Sequence, residues 1–425
     1  MTIVLIGAGQ RGRIYADYAV RAGYAAVSAI VEPDPQRRQE AARQLGVGAE
    51  RCFAREEELF ALGKIADAAI IASMDRDHYR QALGALALGY DLLLEKPVSP
   101  VLAECQEIEK RAKEAGRLVL VCHVLRYTPF FSALKALVQR QALGRIITIR
   151  HEENIGNFHM AHSFVRGNWA NAEKTSPIIL QKSCHDFDIL VWLTGSRAQS
   201  LSSVGELTYF KEESAPEGGA ERCWECKHNA GCRFAAQKCY LPALGQWPAT
   251  VVTSRQTPQA LAQALKTGPY GRCVYRCGND VCDHQTTLIT FENGVTASFT
   301  MSAFTNRMNR SIRILCEDGE IWGNDEEGRI VMTRFASNMV EEYSQEALCV
   351  PRPQSGHGGG DTALVDDFFN ALHGREAKGV TTIDQSLESH FMAWAAEESR
   401  LAGGRQVPLK ELRERPQGAE GEDEA

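Results

Sequence analysis

A β-branched run, Thr2-Ile3-Val4-Leu5-Ile6, leads directly into Gly7-Ala8-Gly9-Gln10-Arg11-Gly12, and a helical period begins there. Few folds accept a strand that turns so tightly into a helix on three spaced glycines. The pattern is the dinucleotide-binding fingerprint, in which each glycine has a task. Gly7 permits the tight turn, Gly9 lets a pyrophosphate approach the backbone at the helix N-terminus, and Gly12 lets helix and strand pack closely. Gln10 and Arg11 lie inside the turn and are expected beside the cofactor. The second strand ends at Glu32, 20 residues past Gly12. A carboxylate there accepts hydrogen bonds from ribose hydroxyls and repels a 2′-phosphate, so NAD is expected over NADP. Arg37 opposes this reading if it reaches a 2′-phosphate, and agrees with it if it only solvates a helix face.

The first 125 residues continue as parallel strands joined by crossover helices, with strands expected at 2–6, 26–31, 67–72, 91–95 and 117–122. Helices from Gly12 to Ala22 and from Gln36 to Leu45 are stopped by Gly23 and Gly46. The expected class is α/β: an N-terminal doubly wound Rossmann domain over 1–125, then an α/β domain over 126–410 with a large open, mostly antiparallel sheet. Alternating strands are expected over Arg145–Glu152, Gln285–Thr290 and Thr296–Met301, and helices over Thr362–Leu372 and Gln385–Leu401. Residues 210–283, rich in Gly, Pro and seven cysteines, fit neither period and read as an insertion without an apolar core. Residues 411–425 read as a disordered acidic tail.

A net charge of −7 gives no basic surface for a phosphate backbone, so nucleic acid is not an expected partner. No leader pattern or run of 18 apolar residues is evident, so neither a membrane nor export is expected and the chain reads as cytoplasmic. Thirteen cysteines in a reducing compartment then read as buried small residues and metal ligands.

Glu95-Lys96-Pro97 closes the fourth expected strand. With GAGQRG, Glu32, the run Ile71-Ala72-Ser73 followed by His78, the segment Ile179 to Asp188, and the phrase Ser389 to Leu401, it resembles the glucose–fructose oxidoreductase/inositol dehydrogenase (Gfo/Idh/MocA) family, a subset of which carries a cysteine-rich insertion. The resemblance implies a substrate cleft between the two domains, a homodimer or homotetramer, and a cofactor site that includes Ser73, His78, Glu95 and Lys96. Lys96 lies at the carboxyl end of a parallel strand, where ligands of open sheets bind, and an ammonium there can stabilise charge as a hydroxyl becomes a carbonyl. His185 matches the family's catalytic histidine. Many members carry Asp four residues earlier; here Gln181 stands in that place, and Lys182 is the candidate to supply charge. Asp188, one turn after His185, either orients it or caps the helix.

Residues 151–169 read as a loop before the catalytic helix, and His159, His162, Arg166 and Trp169 within it supply the polar groups and aromatic face that sugars require. Arg126 and Tyr127, after the fifth expected strand, are further substrate candidates beside Gln181. In the insertion, Cys223 and Cys226 have the spacing of a metal-binding turn, and tetrahedral zinc needs Cys232 plus either Cys239 or Cys273. The resemblance favours Cys273. A structural zinc is therefore expected, with an iron–sulfur cluster as the other four-thiolate reading. The leading functional reading is an NAD-dependent oxidoreductase acting on a sugar, sugar acid or cyclitol. The alternatives are an NAD-dependent glycosidase working by transient oxidation and elimination, and a non-catalytic NAD-binding regulator.

Overall fold

A computed structural model describes residues 1–344, 357–377, 379 and 381–415. Six parallel strands form the first sheet: β1 (Thr2–Ile6), β2 (Ala26–Val31), β3 (Cys52–Phe53), β4 (Ala68–Ile71), β5 (Asp91–Leu94) and β6 (Val119–Val121), in the order β3-β2-β1-β4-β5-β6. This is the doubly wound order, with its switch point between β1 and β4. The five expected strands are present. β3 was not foreseen, because two residues show no period.

β1 and β4 are apolar and buried apart from the half-buried Thr2, since helices cover both sheet faces. One of those covers comes from far along the chain. Helix Gly360–Leu372 places Leu364, Val365, Phe368 and Phe369 in one cluster with Ile3, Leu5, Leu93 and Leu120. A linear division at residue 125 does not anticipate that packing.

The second sheet has nine strands: β7 (Ile146–Asn154), β8 (Ala198–Glu206), β9 (His284–Phe291), β10 (Thr296–Ser302), β11 (Asn309–Cys316), β12 (Gly319–Asn324), β13 (Arg329–Arg334), β14 (Val340–Tyr343) and β15 (Val407–Pro408). Their order is β14-β13-β12-β11-β7-β10-β9-β8-β15. All neighbours are antiparallel except β10 and β7, which run parallel. Helices Cys184–Thr194 and Ile383–Leu401 pack on one face. Helix Leu409–Arg413 buries Leu412, and Arg413 pairs with Glu388 at 2.5 Å, so order extends past the expected boundary at 411. Residues 416–425 of the expected tail lie outside the described residues.

Two further expectations are corrected. Residues 151–169 are not a loop: β7 runs to Asn154, a short helix spans Asn157–His159, and Met160–Arg166 forms a π-helical segment. The insertion, between β8 and β9, does have an apolar cluster of its own, in which Tyr240, Ala249, Leu261, Leu265 and Tyr270 are buried together. Helices Ala236–Tyr240 and Pro258–Thr267 build it. In the second, Leu261 and Leu265 lie one helical turn apart on the buried face, a period visible in the sequence.

Candidate functional site

The turn after β1 is wedged between its neighbours. Gly7 adopts φ +88°, and a Cβ there would lie 2.5 Å from the Ala72 carbonyl; a Cβ on Gly12 would lie 2.1 Å from the Gly7 carbonyl oxygen. Gly9 is different, for a Cβ there would meet nothing within 4 Å. The space it leaves opens onto the first turn of helix Gln10–Arg21, which has no side-chain cap. Uncapped N–H groups facing open space fit a pyrophosphate. Glu32 is buried at the end of β2, its Oε2 accepting from Ala8 N at 3.0 Å and its Oε1 from Asp34 N at 3.0 Å. Arg37 donates to the same Oε1 at 2.8 Å, so it neutralises Glu32 instead of standing free.

Arg11 is not aimed at a cofactor. Its guanidinium joins Glu95 at 3.1 Å to Asp361 at 2.6 Å, tying the end of β5 to helix Gly360–Leu372. Glu95 also accepts from Tyr15 Oη at 2.7 Å and from Lys96 N at 2.9 Å. Burial would raise its carboxyl, but Arg11 and Lys96 hold it below the usual range. Ser73 donates to Gln81 at 2.6 Å, and His78 Nδ1 donates to the Pro97 carbonyl at 2.8 Å. His78 Nε2 stays buried without a partner, an acceptor beside the β4 end of the switch point.

The strand-end lysine spans the cleft. Lys96 Nζ donates to the Gln181 carbonyl at 2.8 Å, in the short helix Ile178–Gln181 that leads into the helix bearing His185. His185 is buried, its ring centre 5.5 Å from that of His123 in a T-shaped arrangement. Behind it His390 accepts from Val98 N at 3.0 Å. Burial pushes the His123 imidazole down to about 4 and that of His390 to about 3, so both are neutral supports.

Beneath Lys182 lies a charge ladder that the sequence reading missed. Lys182 Nζ is 3.1 Å from Glu153, Glu153 is 2.5 Å from Arg310, Arg310 is 2.7 Å from Asp186, and Asp186 is 2.9 Å from His151 Nε2. Burial would raise the Asp186 carboxyl, yet Arg310 and His151 hold it well below the usual range. Burial lowers the Lys182 amine, against the attraction of Glu153. The signal was available: Ile149, His151 and Glu153 alternate on the inward face of β7, where a carboxylate needs a partner.

The remaining candidates divide. Arg126 is closed off from any substrate, because its guanidinium grips Asp188 at 2.7 and 2.6 Å in a buried two-pronged pair. Asp188 thus answers a buried guanidinium. Tyr127 is packed in the apolar cluster beside helix Gly360–Leu372. His162 hydrogen-bonds Tyr240 at 3.0 Å and stacks on Tyr270, so it anchors the insertion. His159 is half-buried, 5.6 Å from the Trp247 ring, and Trp169 is half-buried with no partner for its indole N–H. Arg166 points away from the cleft, into the cysteine-lined cavity of the insertion. Among the described residues no three His, Cys, Asp or Glu side chains are gathered as metal ligands, so the expected zinc site is not pre-formed.

The chain matches two family models: an oxidoreductase family's NAD-binding Rossmann fold over residues 1–123, and that family's C-terminal alpha/beta domain over 135–409. YteT of Bacillus subtilis is 23% identical over 319 residues, covering 71% of this chain and 72% of that one. Inositol 2-dehydrogenase of Corynebacterium glutamicum is 28% identical over 221 residues, 52% of this chain but only 60% of that enzyme. Among solved structures, an Agrobacterium radiobacter oxidoreductase in complex with NAD+, L-tartaric acid and magnesium aligns with TM-score 0.70 at 18% identity, over 97% of this chain and 99% of that one. Levoglucosan dehydrogenase in complex with NADH and levoglucosan aligns with TM-score 0.70 at 18% identity, over 96% and 99%. At such identities these structures speak for the fold.

Proposed function

The chain belongs to the Gfo/Idh/MocA oxidoreductase family, and on that premise we propose that it oxidises a secondary hydroxyl of a sugar, sugar acid or cyclitol with NAD. The observation that carries this reading is the reach of Lys96 from the end of β5 to the backbone of Gln181, beside the helix of His185. When bound, NAD supplies the hydride-accepting nicotinamide. Gly7, Gly9 and Gly12 leave room for its pyrophosphate, and Glu32, fixed by Ala8 N and Asp34 N, faces its ribose.

Lys96 Nζ, whose hydrogen-bond partner is a neutral carbonyl, is placed to donate to the reacting oxygen. The hydroxyl proton goes to the His185 imidazole. Gln181 has no basic atom to take it, so the carboxylate that many relatives keep there is absent from the chemistry. Lys182 stands next in line, since burial lowers its amine and Glu153 fixes its position. The substrate class is supported by relatives that act on inositol and levoglucosan.

The test is a panel of sugars, sugar acids, cyclitols and p-nitrophenyl glycosides, followed both at the NADH absorbance and by released phenol, with NAD and NADP compared by calorimetry. Net NADH from a polyol supports the proposal, with NAD bound at least about tenfold tighter, roughly 1.4 kcal/mol. Phenol release with no net NADH would replace it with a redox-neutral glycosidase. NADP binding as tight as NAD would reassign Arg37 to a 2′-phosphate.

A further inference from the structure

The insertion leaves the second sheet after β8 and rejoins it at β9, yet part of it meets the nucleotide half of the chain. Gln36 Nε2 donates to Ser254 Oγ at 2.5 Å, a contact across 218 residues. Gln36 stands in the first turn of helix Pro35–Leu45, one position before the Arg37 that holds Glu32. The turn that carries Ser254 is stitched in place. Gln256 Oε1 accepts from Gly245 N at 2.9 Å, and its Nε2 donates to the Ala249 carbonyl at 3.2 Å and to that of Thr253. Thr257 Oγ1 caps helix Pro258–Thr267, and Ala249 and Leu261, on either side of the turn, belong to the lobe's apolar cluster. Trp247 holds the lobe against the π-helical segment, its ring 5.3 Å from that of His162.

This contact has counterparts farther along the same edge of the first sheet. Past β4, Asp75 accepts from Ser176 Oγ at 2.9 Å and Arg76 donates to the Glu173 carbonyl. Past β5, Lys96 reaches the Gln181 carbonyl. The strands lie in the order β2-β1-β4-β5, so these contacts flank the crevice at the β1–β4 switch point, where ligands of open sheets bind. The contact past β2 comes from the insertion and lies beside Glu32, the proposed ribose partner. Arg255 follows Ser254 directly. It is exposed, and no carboxylate pairs with it among the described residues. A guanidinium in that place has the chemistry to lie against a purine face.

We infer that residues 253–257 of the insertion form part of the cofactor site, closing over the adenosine of NAD with Arg255 against the adenine. The inference rests on the NAD reading given above. The Gln36–Ser254 contact opens to admit the dinucleotide and re-forms behind it. One hydrogen bond between exposed side chains is weak enough to open readily. The bound adenosine then adds its own contacts to the closed form, so the turn governs how fast the nucleotide leaves.

The experiment is stopped-flow displacement of NAD, ADP-ribose and nicotinamide mononucleotide from the full chain, with hydrogen exchange measured with and without NAD. Arg255→Ala should release NAD and ADP-ribose at least about tenfold faster, and Gln36→Ala about threefold faster. Nicotinamide mononucleotide lacks the adenosine, so its release should not change. Gln259→Ala, on the exposed face of the next helix, should behave as the unaltered protein. In the unaltered protein NAD should slow amide exchange over residues 253–257, a readout that needs no variant. Equal release of ADP-ribose from Arg255→Ala and the unaltered protein, or exchange unaffected by NAD, overturns the inference and leaves the proposed oxidation standing. Failure of both NAD and ADP-ribose to bind would overturn the two together.

Discussion

The floor of the cleft and the cavity of the insertion both bury arginines, and they treat them differently. Under the cleft each guanidinium meets carboxylates: Arg126 meets Asp188, Arg310 meets Glu153 and Asp186, and Arg11 meets Glu95 and Asp361. In the insertion Arg166 meets carbonyls and sulfur. Charges that are answered within the chain hold elements together, whereas a charge left to neutral partners is available for something the chain binds. Lys96 lies between the two kinds, its hydrogen bond going to a carbonyl while its charge also acts on Glu95.

The sharpest way to break this comparison is to remove Lys96. Lys96→Ala should lower turnover roughly 10²–10⁴-fold with NAD affinity nearly unchanged, and His185→Ala should fall in the same range. The double variant should be scarcely worse than either single one, because groups acting as a unit are strongly non-additive. Steady-state kinetics on the substrate the panel identifies decides this. Wild-type rates in Lys96→Ala would make that lysine another structural charge.

Asp188→Ala tests the other kind. It leaves the Arg126 guanidinium buried without its carboxylate, so stability should fall by about 3–5 kcal/mol in urea denaturation. A change under about 1 kcal/mol would mean that water answers the arginine, and the distinction drawn from Arg166 would lose its basis.

A smaller effect concerns the buried histidines behind and beside the cleft. Burial lowers His123 and His162 to about 4 and His390 to about 3, from an unfolded value near 6.5. Between those limits the unfolded chain binds more protons than the folded one, so stability declines as pH falls from about 6.5 towards 4. Each histidine contributes a slope of up to about 1.4 kcal/mol per pH unit. His123→Asn should flatten the slope by about one proton. An unchanged slope would show that His123 is already charged in the folded protein.

Much of the nucleotide half was legible because its signals are local. A strand, three glycines and an acid 20 residues on are read along one stretch of chain, and the structure puts each strand within a residue or two of its expected place. Lys96 and His185 were legible as types at strand and helix positions meant for one cleft, and the structure adds the bond from Lys96 to the Gln181 carbonyl just before the His185 helix. The role of Arg126 was misread, since nothing near it in sequence announces Asp188, 62 residues away.

The amino-acid sequence by itself determined the order of elements, the cofactor turn, and which cysteines have ligand spacing, because these depend on residues within a few turns of one another. Only the tertiary structure decided which charges are spent on one another. Whether Arg11, Arg126 or Arg166 is free for a ligand depends on carboxylates brought from 350, 62 or no positions away, and a Coulomb partner within 3 Å is a property of packing. It also set the segment of Cys273 antiparallel to that of Cys223, through two backbone hydrogen bonds between distant segments that no spacing rule contains.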